Sequence, residues 1–206
     1  MRIRPISHDA LVEDLTDRVA GHPGRVRIAI DGADASQPGE LADALVEPLR
    51  ARGRDAIRVR AEDQLRPASL RFERGRTDPD SFYDDWLDAA GLAREVLEPV
   101  GPGGNGAVRP VRWDTALDRA SRSGFHPVSE AGVVIVSGPL LLGRGLPFEL
   151  TVHLDLSPGA LARRTPPELA WTLPAYDRYR EEVDPAAFAD VVVRVDDPRH
   201  PAVVER

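Results

Sequence analysis

The chain contains no cysteine and no lysine, and it has one methionine and few aromatic residues. Without cysteine there is no disulfide, no thiolate nucleophile and no zinc–thiolate centre, which fits a reducing compartment. Without lysine there is no Schiff base, no lysine general base and no lysine phosphate clamp; all 27 basic residues are arginine. Such complete use of arginine is what a GC-rich coding sequence favours. No apolar run is long enough to span a bilayer, and the start, Met1 to His8, lacks the apolar stretch of a signal peptide. A cytoplasmic protein with no membrane contact is expected. A net charge of −7 with so few aromatics argues against a nucleic-acid platform.

What is present is enough for one α/β domain: 206 residues, 42% of them apolar, with no internal repeat. Leu11, Val12, Leu15 and Val19 have helical spacing after Ser7 as N-cap, so residues 1–24 are read as an N-terminal helix closed by Gly21-His-Pro-Gly24. Val26, Ile28 and Ile30 mark a first strand, and Ala56 to Arg60 a second. Pro38 to Ala51 reads as one helix with proline in its first turn. Ser81 to Val100 reads as a helix in two pieces around Gly91, and Gly101 to Gly106 as a loop. Gly132–Val136, Leu150–Leu156 and Asp190–Val195 are further strands, with helices over Pro158–Arg164 and Leu173–Glu182. The alternation predicts a three-layer fold with a mostly parallel five-stranded sheet flanked by helices.

The most informative segment is Arg25 to Leu41, which reads as strand, glycine turn and helix start. That is the layout of a phosphate-binding P-loop, G-x-x-x-x-G-K-[ST]. Counted from Gly32, through Asp34 and Ser36, the second glycine is Gln37, the lysine is Pro38 and the serine or threonine is Gly39.

From this point the chain resembles the uridine kinase-like group of P-loop kinases along nearly its whole length. The landmarks occur in order. Ile28-Ala-Ile-Asp-Gly32 is similar to the strand entering the phosphate loop. Ala61-Glu-Asp-Gln-Leu-Arg-Pro67 is similar to the D-D-F-H-R-P segment after the second strand. Arg71-Phe-Glu-Arg-Gly-Arg76 with Pro79 to Asp85 resembles R-Y-x-R-G-R…P-E-x-Y-Y-x-D, and Leu97 to Gly104 resembles L-x-P-L-G-P-G-G. Val133-Val-Ile-Val-Ser-Gly138 is similar to the V-x-V-D-G strand, and Tyr179 to Val193 to the C-terminal end.

The resemblance implies that a loop lysine, a hydroxyl and a strand carboxylate would hold Mg-ATP; here those positions are Pro38, Gly39 and Ser137. Proline removes both a cation and an amide donor from the cradle. The lid, residues 160–180, is reduced, leaving Arg163, Arg164 and Arg178 as cations that could meet an anion or simply be solvated.

On the acceptor side the resemblance gives Asp63 or Glu62 the role of base toward a substrate hydroxyl; without it, a solvated acidic turn is the plainer reading. Gln64 and Leu65 replace the aromatic and histidine of the pattern. Arg66, Arg71, Arg74 and Arg76 either bind an anion or pair with Asp78, Asp80, Asp84 and Asp85. Tyr83, Phe82, Asp85, Arg112 and Trp113 are candidates to wall the substrate, with packing as the plainer role for the aromatics. The five histidines show no metal-ligand spacing, and His153 reads as a satisfied sheet residue.

The leading expectation is a kinase-derived protein without phosphoryl transfer. It would bind a small polar or nucleoside-like molecule, or a partner protein, in the acceptor cleft, with no cofactor and no metal. Acid/base chemistry at Glu62 and Asp63 is a second reading. An active kinase with an unorthodox loop is the third, and only that one requires ATP and Mg²⁺. Self-association is left open.

Overall fold

The computed structural model describes residues 2–205, so Met1 and Arg206, both inside the expected domain span, lie outside the described residues. The chain opens with a strand, β1 (Arg2–Pro5), before α1 (His8–Ala20), where Ser7 Oγ accepts from the Ala10 amide at 3.2 Å. Such a cap contributes about 1 kcal/mol. β2 (Val26–Asp31) follows, buried at every position, then α2 (Pro38–Ala44) and α3 (Val46–Ala51). The single helix expected over 38–51 is divided at Leu45. Pro48 has no N–H to give the carbonyl of Ala44, and its ring crowds that carbonyl.

β3 (Ala56–Arg60) leads through a short turn to α4 (Ala68–Arg71) and α5 (Pro79–Asp84). α6 (Ala89–Leu92) then continues as tighter and wider turns to Val100. The helical break falls at residues 85–88, not at Gly91. Asp88 caps α6 by accepting from the Gly91 amide at 2.8 Å, and Gly91 is buried against the guanidinium of Arg112, where a Cβ would clash. This glycine serves a close approach rather than a bend.

Residues 107–127 form two short antiparallel pairs: β4 (Ala107–Val108), β5 (Trp113–Asp114), β6 (Arg119–Ala120) and β7 (His126–Pro127), with β4 on β7 and β5 on β6. β8 (Val133–Gly138), β9 (Leu150–Asp155), α7 (Pro158–Arg164), α8 (Leu173–Glu182), α9 (Pro185–Phe188), β10 (Val191–Arg194) and β11 (Ala202–Glu205) complete the chain.

The central sheet has seven strands in the order β1-β11-β10-β9-β2-β8-β3. Its parallel part, β10-β9-β2-β8-β3, is the five-stranded sheet read from the sequence; β1 and β11 extend it antiparallel. The count of five is thus corrected to seven. The two added strands have four residues each, and β1 (Arg-Ile-Arg-Pro) has no apolar run, so neither stands out in the sequence. In the middle, Ile28, Ile30, Ile135, Val136 and Val152 are fully buried between the helical layers. Parallel order puts the carboxyl ends of β2, β3 and β8 side by side, where sheets of this kind place their ligands.

Candidate functional site

A cleft of about 630 Å³ opens over those strand ends, a volume suited to a small molecule. It is bounded by the loop after β2 (Asp34, Gln37 to Glu40), the turn after β3 (Arg60 to Glu62, Leu65) and the β8 exit (Ser137 to Leu140, Arg144). Arg71, Phe82, Trp86, Leu87 and Thr115 complete the lining.

The loop after β2 has one residue with a left-handed backbone. Gln37 sits at φ 60°, ψ 49°, a left-handed conformation suited to the glycine of the motif. Gly32 packs so tightly on Ser36 Oγ and Leu154 that a Cβ would collide with them. The loop's own carbonyls take up donors that would otherwise face the cleft. Ser36 N–H donates to Ala33 O at 2.7 Å and Gln37 N–H to Asp34 O at 2.9 Å. Ser36 Oγ also donates to Ala33 O. Pro38 is buried at the first turn of α2 and has no amide to offer.

Arg58 lies beneath the loop, and the sequence reading did not single it out. Its Nε donates to Asp43 at 2.7 Å, and Nη1 donates to the carbonyl of Ile135. Nη2 donates to Gly39 O at 3.2 Å and to Ser137 Oγ at 3.1 Å. A guanidinium thus joins the two positions that, by resemblance, would supply the metal hydroxyl and metal carboxylate. The donor chemistry here does not fit Mg-ATP: cationic N–H groups stand among carbonyls and a hydroxyl, with no lysine and no carboxylate at either position.

Glu62 lines the cleft, whereas Asp63 sits behind it, half-buried, with its backbone carbonyl accepting from the Arg112 amide. Burial first, and Glu62 second, raise the Asp63 carboxyl above its usual range, against the pull of Arg60. Asp34, on the loop wall, is raised for the same two reasons although its carboxylate is open to solvent. Four acidic groups, Asp34, Glu40, Asp43 and Glu62, therefore share the cleft, and among the described residues Glu62 pairs only with the exposed Arg60, at 3.2 Å. Gln64, in place of the family's aromatic, is fully buried, donating to Pro110 O at 2.7 Å while its Oε1 lacks a partner.

The basic cluster divides. Arg66 and Arg74 both reach Asp85, at 3.4 and 3.9 Å. Arg76 is exposed over the ring of Phe72. Arg71 alone of the four lines the cleft, lying over the Phe72 and Trp86 rings at 4.8 and 5.2 Å. Arg112 pairs with Asp88 at 2.8 Å and Glu95 at 3.3 Å, away from the cleft. Trp113 donates to Asp118 at 3.1 Å at the edge of its hairpin. Tyr83 is buried against Tyr179 under Arg178, so Phe82 rather than Tyr83 forms the cleft wall. Arg178 is held by Asp80, Asp84 and Glu182, and Arg164 Nη1 donates to Val195 O. Arg163 is exposed at the end of α7.

Besides Arg58, sequence reasoning passed over Arg60, Trp86 and Arg144. Arg144 had a readable signal, since it stands between Gly143 and Gly145, both at positive φ, in a turn that leaves it few directions. The aromatics gather too, with Phe82 edge-on to Trp86, Trp171 and Tyr176.

No family profile and no curated protein sequence matches the chain. Solved structures do. A possible uridine kinase from Bacillus stearothermophilus superposes with a TM-score of 0.70 at 20% identity, covering 88% of this chain and 96% of that one. A candidate fructose transport system kinase from Silicibacter sp. TM1040 superposes with a TM-score of 0.59 at 21% identity, covering 88% and 91%. The fold is that of the uridine kinase-like P-loop kinases.

Proposed function

We propose that this is a kinase-fold protein that does not carry out Mg-ATP phosphoryl transfer and instead binds a small polar or nucleoside-like molecule in the former acceptor cleft. The observation that carries the reading is Arg58, whose guanidinium bridges Gly39 and Ser137. Phosphoryl transfer depends on positioning and on cationic stabilisation of the phosphoryl oxygens. With Pro38 in place of the lysine, and Asp34, Glu40 and Glu62 lining the same cleft, a triphosphate meets carboxylates where it needs cations.

Isothermal titration calorimetry with ATP and Mg²⁺ tests this. No binding heat is expected up to millimolar nucleotide, and micromolar affinity for Mg-ATP would overturn the reading.

Acid/base chemistry in the same cleft is a second reading, favoured by the raised carboxyls of Asp34 and Asp63 beside Glu62. Under it, Glu62→Gln abolishes turnover of the bound molecule and leaves its affinity within a few-fold. Under simple binding, only the affinity changes.

A further inference from the structure

The cleft holds a cation that forms no ion pair among the described residues, although Asp84 and Asp31 act on its charge from farther off. Arg144 is half-buried at the β8 exit and lines the cleft, and among the described residues it has no carboxylate within ion-pair distance. Its Nε donates to Leu140 O at 2.6 Å and Nη2 donates to the backbone carbonyl of Tyr83. Two carbonyls thus fix the plane of the guanidinium while leaving Nη1, and one hydrogen of Nη2, uncommitted. Other arginines around the site differ: Arg58, Arg66, Arg74, Arg112 and Arg178 all have carboxylate partners.

A desolvated guanidinium without a counter-ion is costly, and burial does lower its proton affinity. The cost is offset when an oxyanion arrives, because the planar fork matches a carboxylate or phosphate with two parallel hydrogen bonds. Its geometry is fixed in advance. Leu140, a bulky residue at φ 58°, holds the carbonyl that orients Nε, so the arginine is set by strained backbone rather than by a flexible loop.

The wall beside it is apolar and aromatic. Phe82 and Trp86 meet edge to face at 5.2 Å, with Leu65 and Leu87 completing the surface. Trp86 Nε1 is buried without a hydrogen-bond partner, so the indole meets the cleft through its carbon surface. Arg71 lies over the same indole, its nearest carboxylate, Asp118, at 3.8 Å. The loop wall, by contrast, carries the carboxylates. Charge alone orients a ligand in such a cleft.

We infer that the cleft takes a small organic oxyanion, a carboxylate or a phosphate monoester on an apolar body, with the oxyanion on Arg144 and the body against Phe82 and Trp86. This deepens the proposed binding function and rests on it.

Benzoate, phenyl phosphate and benzyl alcohol serve as matched probes, titrated by calorimetry and by tryptophan fluorescence. At least one oxyanion should bind ten-fold or more tightly than the alcohol, and which one identifies the group. Arg144→Gln should erase that preference and Arg144→Lys should keep part of it. Trp86→Ala, which removes the aromatic wall, should weaken all three probes several-fold. Thermal melts check that each variant is folded. Equal binding of all three probes, no binding of either oxyanion, or an unchanged preference in a folded Arg144→Gln variant would each overturn the inference. If uridine still binds while the oxyanions fail, the binding function stands without an anionic ligand. If Mg-ATP binds, that function itself falls.

Discussion

Asp31 and His153 are register partners on the neighbouring strands β2 and β9, and their side chains meet at 2.7 Å from Oδ2 to Nδ1. Asp31 is fully buried and His153 nearly so. The other carboxylate oxygen, Oδ1, accepts from the Leu141 amide at 2.8 Å, tying the loop entrance to the β8 exit. The histidine read from sequence as a satisfied sheet residue is satisfied by a particular partner at the threshold of the cleft.

Removing that partner should be costly. Asp31→Ala leaves the imidazole and the Leu141 amide without an acceptor in the interior, a loss of about 3 kcal/mol. Urea denaturation measures it, and a loss below about 1 kcal/mol would mean the contact does little to hold the strand ends together.

Asp34 should behave in the opposite sense. Its carboxyl is raised above 3.8 in the folded protein, by burial first and Glu62 second, so the ionised form opposes folding. The contribution of Asp34 to stability therefore rises as pH falls from neutral through the folded value, and it levels off only below 3.8, where the carboxyl is protonated in both states. Asp34→Asn should stabilise at pH 7 by a few tenths of a kcal/mol, since solvent screens the exposed carboxylate. Melts from pH 7 to pH 3 should show that advantage vanish on acidification; an advantage that grows would contradict the assignment.

Gln37 is a residue in a glycine's conformation. A left-handed backbone costs a non-glycine residue roughly 1–2 kcal/mol, while glycine loses about 0.4–1 kcal/mol through the unfolded chain. Gln37→Gly should therefore raise stability by up to about 1 kcal/mol, read as a higher urea midpoint, without creating Mg-ATP binding. A lower midpoint would show that the side-chain bond from Gln37 to Glu40 matters more than backbone strain.

Arg58 and Ser137 give a paired test. Arg58→Met should cost about 2 kcal/mol and Ser137→Ala about 1 kcal/mol, because the arginine loses several partners and the serine one. Ser137→Asp should be tolerated, its carboxylate pairing with the guanidinium already present. Adding Mg²⁺ should then leave the melting temperature of Ser137→Asp unchanged. A magnesium-dependent rise confined to that variant would show that the arginine yields to the metal.

Much of the fold was legible because its central strands are short apolar runs with turn chemistry on either side. The helices 158–164 and 173–182 appeared at the expected residues. What failed was local. Pro48 divided a helix that apolar spacing had joined, and β1 and β11 are four-residue strands, too short to stand out, β1 being exposed along its whole length. The residues of the loop were visible at once; the left-handed backbone of Gln37 was not.

By itself the sequence determined the order of the elements, the absence of any lysine or thiol chemistry, and which residues, Pro38, Gly39 and Ser137, stand where the resemblance would place nucleotide-binding groups. Residue identity and spacing are local properties, and one chain states them fully. Only the tertiary structure decided which arginine meets which carboxylate. Arg58, Arg71, Arg144 and Arg178 look alike along the chain, and most of their partners are distant in sequence or are backbone carbonyls that any residue could supply. Packing brought Arg178 to Asp80 and Asp84 as well as to its helix neighbour Glu182, whereas among the described residues Arg144 has no ion-pair partner, and the proposed oxyanion site rests on that difference.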